Sequence, residues 1–217
     1  MRWKICCIDS PQAVALAAAA GADILGFVGP MPSGPGPIPL ERIQALAPQV
    51  PPGVSRWLLT AETTLAPLLS LVDTAGCETL QLVDRVAPEV RRELRRARPW
   101  LRIVQVVHVV DEGSIAEARA AAEASDAVLL DSGRPDAQER TLGGTGETHD
   151  WSLSARIREA LDSPVFLAGG LTPDNVASAV EQVRPAGVDV CSGLRIDGRL
   201  DPARVRAFAA ALGRTAG

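Results

Sequence analysis

Short apolar runs alternate with alanine-rich amphipathic segments along the whole chain. Apolar runs of this length, bounded by glycine, proline or polar residues, predict buried strands, and the amphipathic segments predict helices. We predict eight strands, at Trp3–Ile8, Ile24–Val28, Val54–Leu59, Thr79–Val83, Arg102–Val107, Ala127–Asp131, Val165–Ala168 and Val188–Cys191. The predicted helices run from Ser10-Pro11 to Ala20 and over Leu40–Leu46, Leu65–Ala75, Pro88–Arg96, Ser114–Ala124, Trp151–Ala160, Asp174–Val183 and Pro202–Leu212.

Strict alternation of strand and helix predicts a parallel sheet covered by helices, and eight repeats predict closure into a single (β/α)8 TIM barrel of the α/β class. An open, doubly wound sheet is the alternative. The chain has 217 residues, and no linker, composition break or low-complexity block divides it. One domain over residues 1–217 is therefore expected.

Composition and charge narrow the range of partners. A formal net charge of −4 and the lack of a long basic run argue against nucleic acid, and Arg91-Arg92 with Arg95-Arg96 fits the solvated face of a helix. No apolar stretch reaches membrane-spanning length, and polar Asp9 leaves no room for a signal peptide. The four cysteines form neither a metal-ligand pattern nor a disulfide framework, which predicts a cytoplasmic protein without a metal site.

Polar side chains at the carboxyl ends of the strands form the candidate site, because barrel enzymes carry their chemistry there. Alternation along the first strand places Lys4 and Cys6 on one face, and the charge of Lys4 favours the barrel interior for both. Asp131 ends the sixth strand, and His108 follows the fifth. An inert buried thiol is the alternative for Cys6, and a capping or loop-tethering carboxylate is the alternative for Asp131.

Small residues follow the last two strands, with Gly169-Gly170 after the seventh and Ser192-Gly193 after the eighth. Bare glycine backbone lets a ligand approach closely and lets N–H groups point at an anion. The pair predicts the phosphate site that many barrels build after strands seven and eight, with tight turns as the alternative. Thr172-Pro173-Asp174-Asn175 predicts the start of the next helix, with a hydroxyl cap.

A glycine-rich segment, Leu142–Trp151, connects the sixth strand to the next helix. It contains Gly144 and His149, and its composition is typical of a flexible loop that covers a ligand. It lacks the lysine of a P-loop. Asp150 is the predicted cap of the helix that follows.

Several motifs together resemble the phosphoribosylanthranilate isomerase family. They are Lys4-Ile5-Cys6, Leu130-Asp131, GGTGETHDW at Gly143–Trp151, LAGGLTPDNV at Leu167–Val176 and RPAGVDVCSG at Arg184–Gly193, in the family's order and over nearly the whole chain. The resemblance implies a (β/α)8 barrel that binds a phosphorylated small-molecule substrate, a phosphoribosyl compound, without cofactor or metal. We expect a monomer or a homodimer, with no membrane or nucleic-acid partner.

The family's reaction is an Amadori rearrangement of an N-linked aldose to a 1-amino-1-deoxyketose. It needs an acid at the ring oxygen and a base at the C2 proton. The resemblance places the acid on Asp131 and the base on Cys6, so a protonated carboxyl and a thiolate are required together. The expected contacts of the phosphate or substrate are Gly144, Gly169, Gly170, Ser192 and Gly193.

Five positions depart from the family pattern. Cys7 replaces a glycine, Val83 replaces a histidine, and Arg195 stands where an acidic residue is usual. Gly36 stands where the family has an arginine for the anthranilate carboxylate, and loss of such a contact typically costs about 1.5–3 kcal/mol of binding. His108 has no known family counterpart, and with Gly36 and Arg195 it is a candidate substrate contact.

These departures cluster on the side expected to hold the aromatic ring, so we hypothesise a substrate that keeps the phosphosugar and changes the other half. Two other functions stay open. One is a phosphosugar lyase or epimerase that uses His108 or Asp84 for proton transfer. The other is a non-catalytic protein that binds a phosphorylated metabolite, although the presence of both Cys6 and Asp131 argues against it.

Overall fold

The computed structural model describes residues 1–31, 36–132 and 150–214. Within those ranges, eight barrel strands alternate with eight α-helices. The strands are β1 (Arg2–Ile5), β2 (Ile24–Val28), β3 (Ser55–Thr60), β4 (Thr79–Leu82), β5 (Arg102–His108), β6 (Ala127–Asp131), β7 (Val165–Leu167) and β8 (Gly187–Val190). The helices are α1 (Pro11–Ala19), α2 (Leu40–Leu46), α3 (Leu65–Ala75), α4 (Pro88–Ala97), α5 (Gly113–Ala122), α6 (Trp151–Glu159), α7 (Val176–Val183) and α8 (Pro202–Ala211).

Hydrogen bonds between β1 and β8 close the strands into a barrel in chain order. This pairing, which we call the β1–β8 seam, is parallel and sets Lys4 opposite Asp189 and Ile5 opposite Val190. The predicted (β/α)8 barrel is confirmed, and the open sheet is excluded. A short antiparallel ribbon of β9 (Arg195–Ile196) and β10 (Arg199–Leu200) follows β8.

Alternating side chains divide the buried apolar residues into two clusters. The larger lies between the strands and the helices and includes Ile103 and Val107 of β5. The smaller fills the barrel and includes Val104 and Val106 of the same strand, together with Cys6. Residues two apart on a strand share a face, so His108, the last residue of β5, also points inward, at the carboxyl end of the barrel.

Lys4 lies inside the barrel, as the sequence predicts. Its ammonium lies 5.6 Å from the ring centroid of Trp57, which belongs to the interior cluster. Gly26 leaves the room for it, since a Cβ there would lie 2.8 Å from Lys4 Cε. The missing side chain on β2 is therefore matched to the long side chain on β1.

Capping side chains place several helix ends where the sequence predicts them. The Ala13 N–H donates to Ser10 Oγ at 3.2 Å at the start of α1, and the Ser152 N–H donates to Asp150 at 2.8 Å at the start of α6. α3 ends in a left-handed glycine, Gly76, with φ of 67°. No helix in the described ranges is both long enough and apolar enough to cross a membrane.

Several predicted element ends differ from the observed ones by one to three residues, and two of these differences have a local cause. β1 ends at Ile5 instead of Ile8, because Cys7 has a φ of 59°, which a strand cannot continue. α7 begins at Val176 instead of Asp174, and Asn175 holds the preceding turn by accepting from the Thr172 N–H at 2.8 Å.

The prediction for Arg91 was also wrong. This side chain is buried rather than on a solvated face, with 2% of its surface exposed. Its guanidinium donates to the carbonyl oxygens of Ala120 and Ala121 and to Ser125 Oγ, at 3.1, 2.5 and 2.7 Å. An arginine in a basic run thus satisfies the last carbonyls of a neighbouring helix, α5.

Candidate active site

Two neighbouring cysteines follow β1, and both side chains point into the barrel. Cys6 continues the alternation of Lys4, and 6% of its surface is exposed. Alternation alone would turn Cys7 outward, but its left-handed backbone turns the side chain back, and Cys7 joins the same interior cluster. The left-handed region is unfavourable for a residue with a Cβ. The carboxyl end of the barrel interior, which we call the mouth, therefore holds the two thiols of Cys6 and Cys7, where regular alternation would place only one.

The surroundings of Cys6 favour its thiolate. A hydrogen bond with the Cys7 thiol lowers the pKa of Cys6 below its ordinary value, with burial opposing and the Lys4 ammonium assisting that shift. Hydrogen bonds with Cys191 and Cys6, and then burial, raise the pKa of Cys7 well above its ordinary value. Cys6 is therefore the thiol that ionises, and Cys7 keeps its proton. Ionisation at moderate pH is what a general base requires.

Asp131 ends β6 beside His108, its partner residue in the β5–β6 pairing. Burial raises the pKa of Asp131 above its ordinary value. His108 opposes this shift, and so does the Ser132 N–H, which donates to Asp131 Oδ1 at 2.7 Å. A carboxyl that keeps its proton to higher pH suits a general acid.

His108 is nearly buried, and its Nε2 lies 3.3 Å from the carbonyl oxygen of Val83. A carbonyl oxygen only accepts, so Nε2 carries the proton in this contact. Nδ1 is buried and has no hydrogen-bond partner in the described part of the chain. β5 thus holds an imidazole against the backbone of the residue that follows β4.

An ion pair inside the barrel connects the surroundings of Cys6 and Asp131. Lys4 Nζ lies 2.7 Å from Asp189 Oδ2, and both side chains are buried. After the Cys7 hydrogen bond at Cys6 and burial at Asp131, these two charges act on both groups: Lys4 lowers their pKa values, and Asp189 raises them. Cys6 follows β1 and Asp131 ends β6, and the strands of the barrel are parallel, so both residues lie at the carboxyl end of the barrel.

The small residues after β7 and β8 pack against each other. A Cβ on Gly193 would lie 2.0 Å from the carbonyl oxygen of Leu171, so only glycine fits there. Among the residues that the structure describes, the backbone N–H groups of Gly169, Gly170, Ser192 and Gly193 find no hydrogen-bond acceptor. Neighbouring N–H groups without acceptors are suited to an anion such as a phosphate. We call these four residues the glycine rims.

Arg195 binds the backbone on both sides of the β1–β8 seam. Its guanidinium donates to the carbonyl oxygens of Cys6, Cys7 and Cys191 at 2.8, 2.7 and 2.9 Å. This residue, a candidate substrate contact, thus fixes the segment that carries Cys6. Gly36, the other candidate in this region, packs on Cys7, and a Cβ there would lie 2.6 Å from Cys7 Cβ.

Nearly the whole sequence matches one enzyme family. The profile described as N-(5'phosphoribosyl)anthranilate (PRA) isomerase matches residues 3–211. The chain belongs to the phosphoribosylanthranilate isomerase family. A relative named N-(5'-phosphoribosyl)anthranilate isomerase, from Haloferax volcanii, is 40% identical over 212 residues, which are 97% of this chain and 92% of the relative.

Solved structures of phosphoribosylanthranilate isomerases agree with the fold. The enzyme of Thermotoga maritima superposes with a TM-score of 0.85 at 30% identity, over 98% of this chain and 99% of its own. A phosphoribosylanthranilate isomerase in complex with reduced 1-(o-carboxyphenylamino)-1-deoxyribulose 5-phosphate gives a TM-score of 0.81 at 27% identity, over 98% and 99% of the two chains. The family predicted from the motifs is confirmed.

The sequence reasoning missed two features of this phosphoribosylanthranilate isomerase family member. The first is Asp189, for which the sequence did hold a signal. It is a carboxylate inside an apolar run, and a buried carboxylate needs a partner such as Lys4. The contacts of Arg195 had no signal in the sequence, because they depend on how the segment after β8 turns back. Gly144 and His149 lie outside the described residues, and the expected contact of Gly144 with the phosphate or substrate stays a prediction.

Proposed function

We propose that this protein converts N-(5'-phosphoribosyl)anthranilate into 1-(o-carboxyphenylamino)-1-deoxyribulose 5-phosphate by an Amadori rearrangement. One observation carries the proposal: at the same end of the barrel, the pKa of Cys6 is lowered, chiefly by its hydrogen bond with Cys7, and the pKa of Asp131 is raised, chiefly by burial. The reaction needs an ionised base and a protonated acid at the same pH. These opposed shifts raise the fraction of the protein that carries both forms at once.

In the proposed mechanism, Asp131 donates its proton to the ring oxygen as the bond between that oxygen and C1 breaks. The product of this step is an open-chain iminium. The Cys6 thiolate then removes the proton from C2, which gives an enolamine that tautomerises to the ketose. After these steps Cys6 is a thiol and Asp131 is a carboxylate. Cys6 then releases its proton to solvent and Asp131 takes one from solvent, which restores the starting form of each residue.

The glycine rims are the proposed phosphate site, with Gly144 as a further contact that stays a prediction. The backbone N–H groups of these two adjoining loops find no acceptor within residues 1–31, 36–132 and 150–214, which supports this assignment. The phosphate lies away from the reacting carbons of the sugar, so its binding energy can orient the substrate. No cofactor or metal takes part in the proposed steps. A cytoplasmic location and a monomeric or homodimeric state stay predictions.

A direct assay tests this function. Purified protein is given N-(5'-phosphoribosyl)anthranilate, and the ketose product is measured over time. We expect turnover, and we expect Cys6→Ala and Asp131→Asn each to lower kcat by at least about 100-fold. Cys77→Ser is the matched control, because Cys77 is a buried cysteine of the larger cluster, which lies between the strands and the helices rather than inside the barrel. A folded protein without turnover, and without rescue of a tryptophan auxotroph, would contradict the proposal.

The anthranilate half has a competing candidate, an N-linked phosphoribosyl compound that lacks the carboxylate. Two observations favour testing it: Gly36 has no side chain, and the nearby Arg195 guanidinium is engaged by three carbonyl oxygens. Isothermal titration with the reduced product analogue and its decarboxylated counterpart compares the two. A preference of more than about tenfold for the carboxylate supports anthranilate, and no preference supports the second candidate.

A further inference from the structure

The sulfur atoms of Cys6, Cys7 and Cys191 lie next to one another at the β1–β8 seam. Cys7 Sγ lies 2.7 Å from Cys191 Sγ, and the Cys7 thiol is also hydrogen-bonded to Cys6. None of the four cysteines of the chain forms a disulfide in this structure. A disulfide needs a sulfur separation of about 2.0 Å, so Cys7 and Cys191 need approach by only about 0.7 Å.

Several independent features bring these two sulfurs together. The left-handed φ of Cys7 turns its side chain into the mouth, and Gly36 leaves the adjoining space open, since a Cβ there would lie 3.0 Å from Cys7 Sγ. Arg195 binds the carbonyl oxygens of Cys7 and Cys191 with one guanidinium, and its Nη1 lies 3.6 Å from Cys191 Sγ. One cation thus fixes the backbone that carries each thiol.

The two thiols differ in access. Cys191 is partly exposed, and Cys7 is 5% exposed. Either thiol can be the donor in the 2.7 Å contact. An oxidant from solvent therefore meets Cys191 first, with Cys7 directly behind it.

We propose that Cys7 and Cys191 form an oxidisable dithiol, a modification site for hydroperoxides beside the candidate base Cys6. The Cys191 sulfur attacks one peroxide oxygen and breaks the O–O bond, which gives a sulfenic acid and water. The Cys7 sulfur then attacks the sulfenic sulfur, and hydroxide leaves with the Cys7 proton as a second water. Two thiols lose two protons and two electrons, and one hydrogen peroxide is reduced to two waters.

The effect on turnover rests on the proposed isomerase function. The disulfide removes the proton that Cys7 shares with Cys6, so the Cys6 thiolate loses its hydrogen-bond donor. Loss of a charge-assisted hydrogen bond of this kind corresponds to a decrease in activity of roughly tenfold or more. We expect oxidised protein to lose isomerase activity by at least that factor and to regain it with dithiothreitol.

The test has a readout that is independent of turnover. The full chain is reduced, freed of reductant, treated with hydrogen peroxide and alkylated after denaturation, and its intact mass is measured. We expect a mass lower by two hydrogen atoms before alkylation and two alkylated cysteines instead of four. Fragmentation of the cross-linked peptides is expected to join Cys7 to Cys191.

Matched variants assign the bond. Cys6→Ser and Cys77→Ser are expected to keep the disulfide, and Cys7→Ser and Cys191→Ser are expected to lose it. The proposal is overturned by a cross-link that persists in Cys7→Ser, or by peroxide that oxidises the wild-type chain without any intramolecular cross-link. A disulfide in a protein that lacks turnover supports the dithiol proposal and contradicts only the proposed isomerase function.

Discussion

Gly36 and Cys7 compete for the same space. A Cβ at residue 36 would lie 2.6 Å from Cys7 Cβ, and real Cβ atoms do not approach carbon so closely. The resemblance to the family predicts a glycine at residue 7 and an arginine at residue 36. The short distance couples the two positions, because a side chain at residue 36 needs the space that Cys7 fills.

The first prediction tests that coupling. Gly36→Arg alone should destabilise the protein, because its side chain collides with Cys7 and because a φ of 79° is unfavourable for arginine. Adding Cys7→Gly should remove the collision and let the arginine bind a carboxylate. We expect the double variant to bind the carboxylate-bearing product analogue about tenfold to 100-fold more tightly than wild type. Titration and thermal unfolding of both variants are the measurements, and purely additive effects would contradict the coupling.

Asp131→Asn should inactivate the protein and stabilise it. Burial raises the pKa of Asp131 in the folded state, so the folded protein favours the protonated carboxyl, and stability is lost as pH rises from the unfolded-state pKa through the folded one. Asparagine carries no charge to bury. Urea unfolding at several pH values should show a gain for Asp131→Asn that grows across this window and is constant above it. Equal stability of the two proteins at neutral pH would contradict it.

His108→Phe should shift the alkaline limb of the pH profile of kcat/KM. After burial, which raises the pKa of Asp131, the His108 ring is the largest influence, and it lowers that pKa. Its loss should keep Asp131 protonated to higher pH and extend activity upward, with the acid limb little changed. Phenylalanine fills a similar volume without titrating. Loss of activity at every pH would instead support the lyase or epimerase hypothesis, in which His108 transfers the proton.

Lys4→Met should destabilise the fold by about 3–5 kcal/mol, because Asp189 would keep a buried charge without its partner. Asp189 Oδ1 already has no hydrogen-bond partner within the described residues. Arg92→Gln is the control, since its pair with Glu89 is exposed and worth less than about 1 kcal/mol. Replacing Asp189 by leucine in the Lys4→Met protein should restore most of the loss in urea unfolding. A double variant no more stable than Lys4→Met would exclude the charge as the cause.

The fold was predictable because each strand and helix has its own hydrophobic period. Ile24–Val28 is bounded by polar residues and glycine, and Leu65–Ala75 ends at Gly76, so short-range chemistry alone places them. Arg91 was not predictable in this way. Its burial depends on the carbonyls of another helix, α5, which a reading of α4 cannot supply.

The candidate site was predictable to the extent that strand position decides it. Cys6 directly follows β1 and Asp131 ends β6, both on inward positions, and alternation suffices to find them. Cys7 breaks alternation, and its inward direction required knowledge of its φ. Its contact with Cys191 joins residues 184 positions apart, which no local pattern reports.

Closure of the barrel has a consequence for folding. The Lys4–Asp189 pair spans 185 positions, and bringing such distant segments together carries a large loop-closure entropy. An intermediate with β1 unpaired would hold a solvated Cys6 thiol, an unpartnered Asp189 and only half of the backbone that Arg195 binds. Turnover therefore counts only completed barrels, and recovery of activity during refolding reports the last stage of assembly.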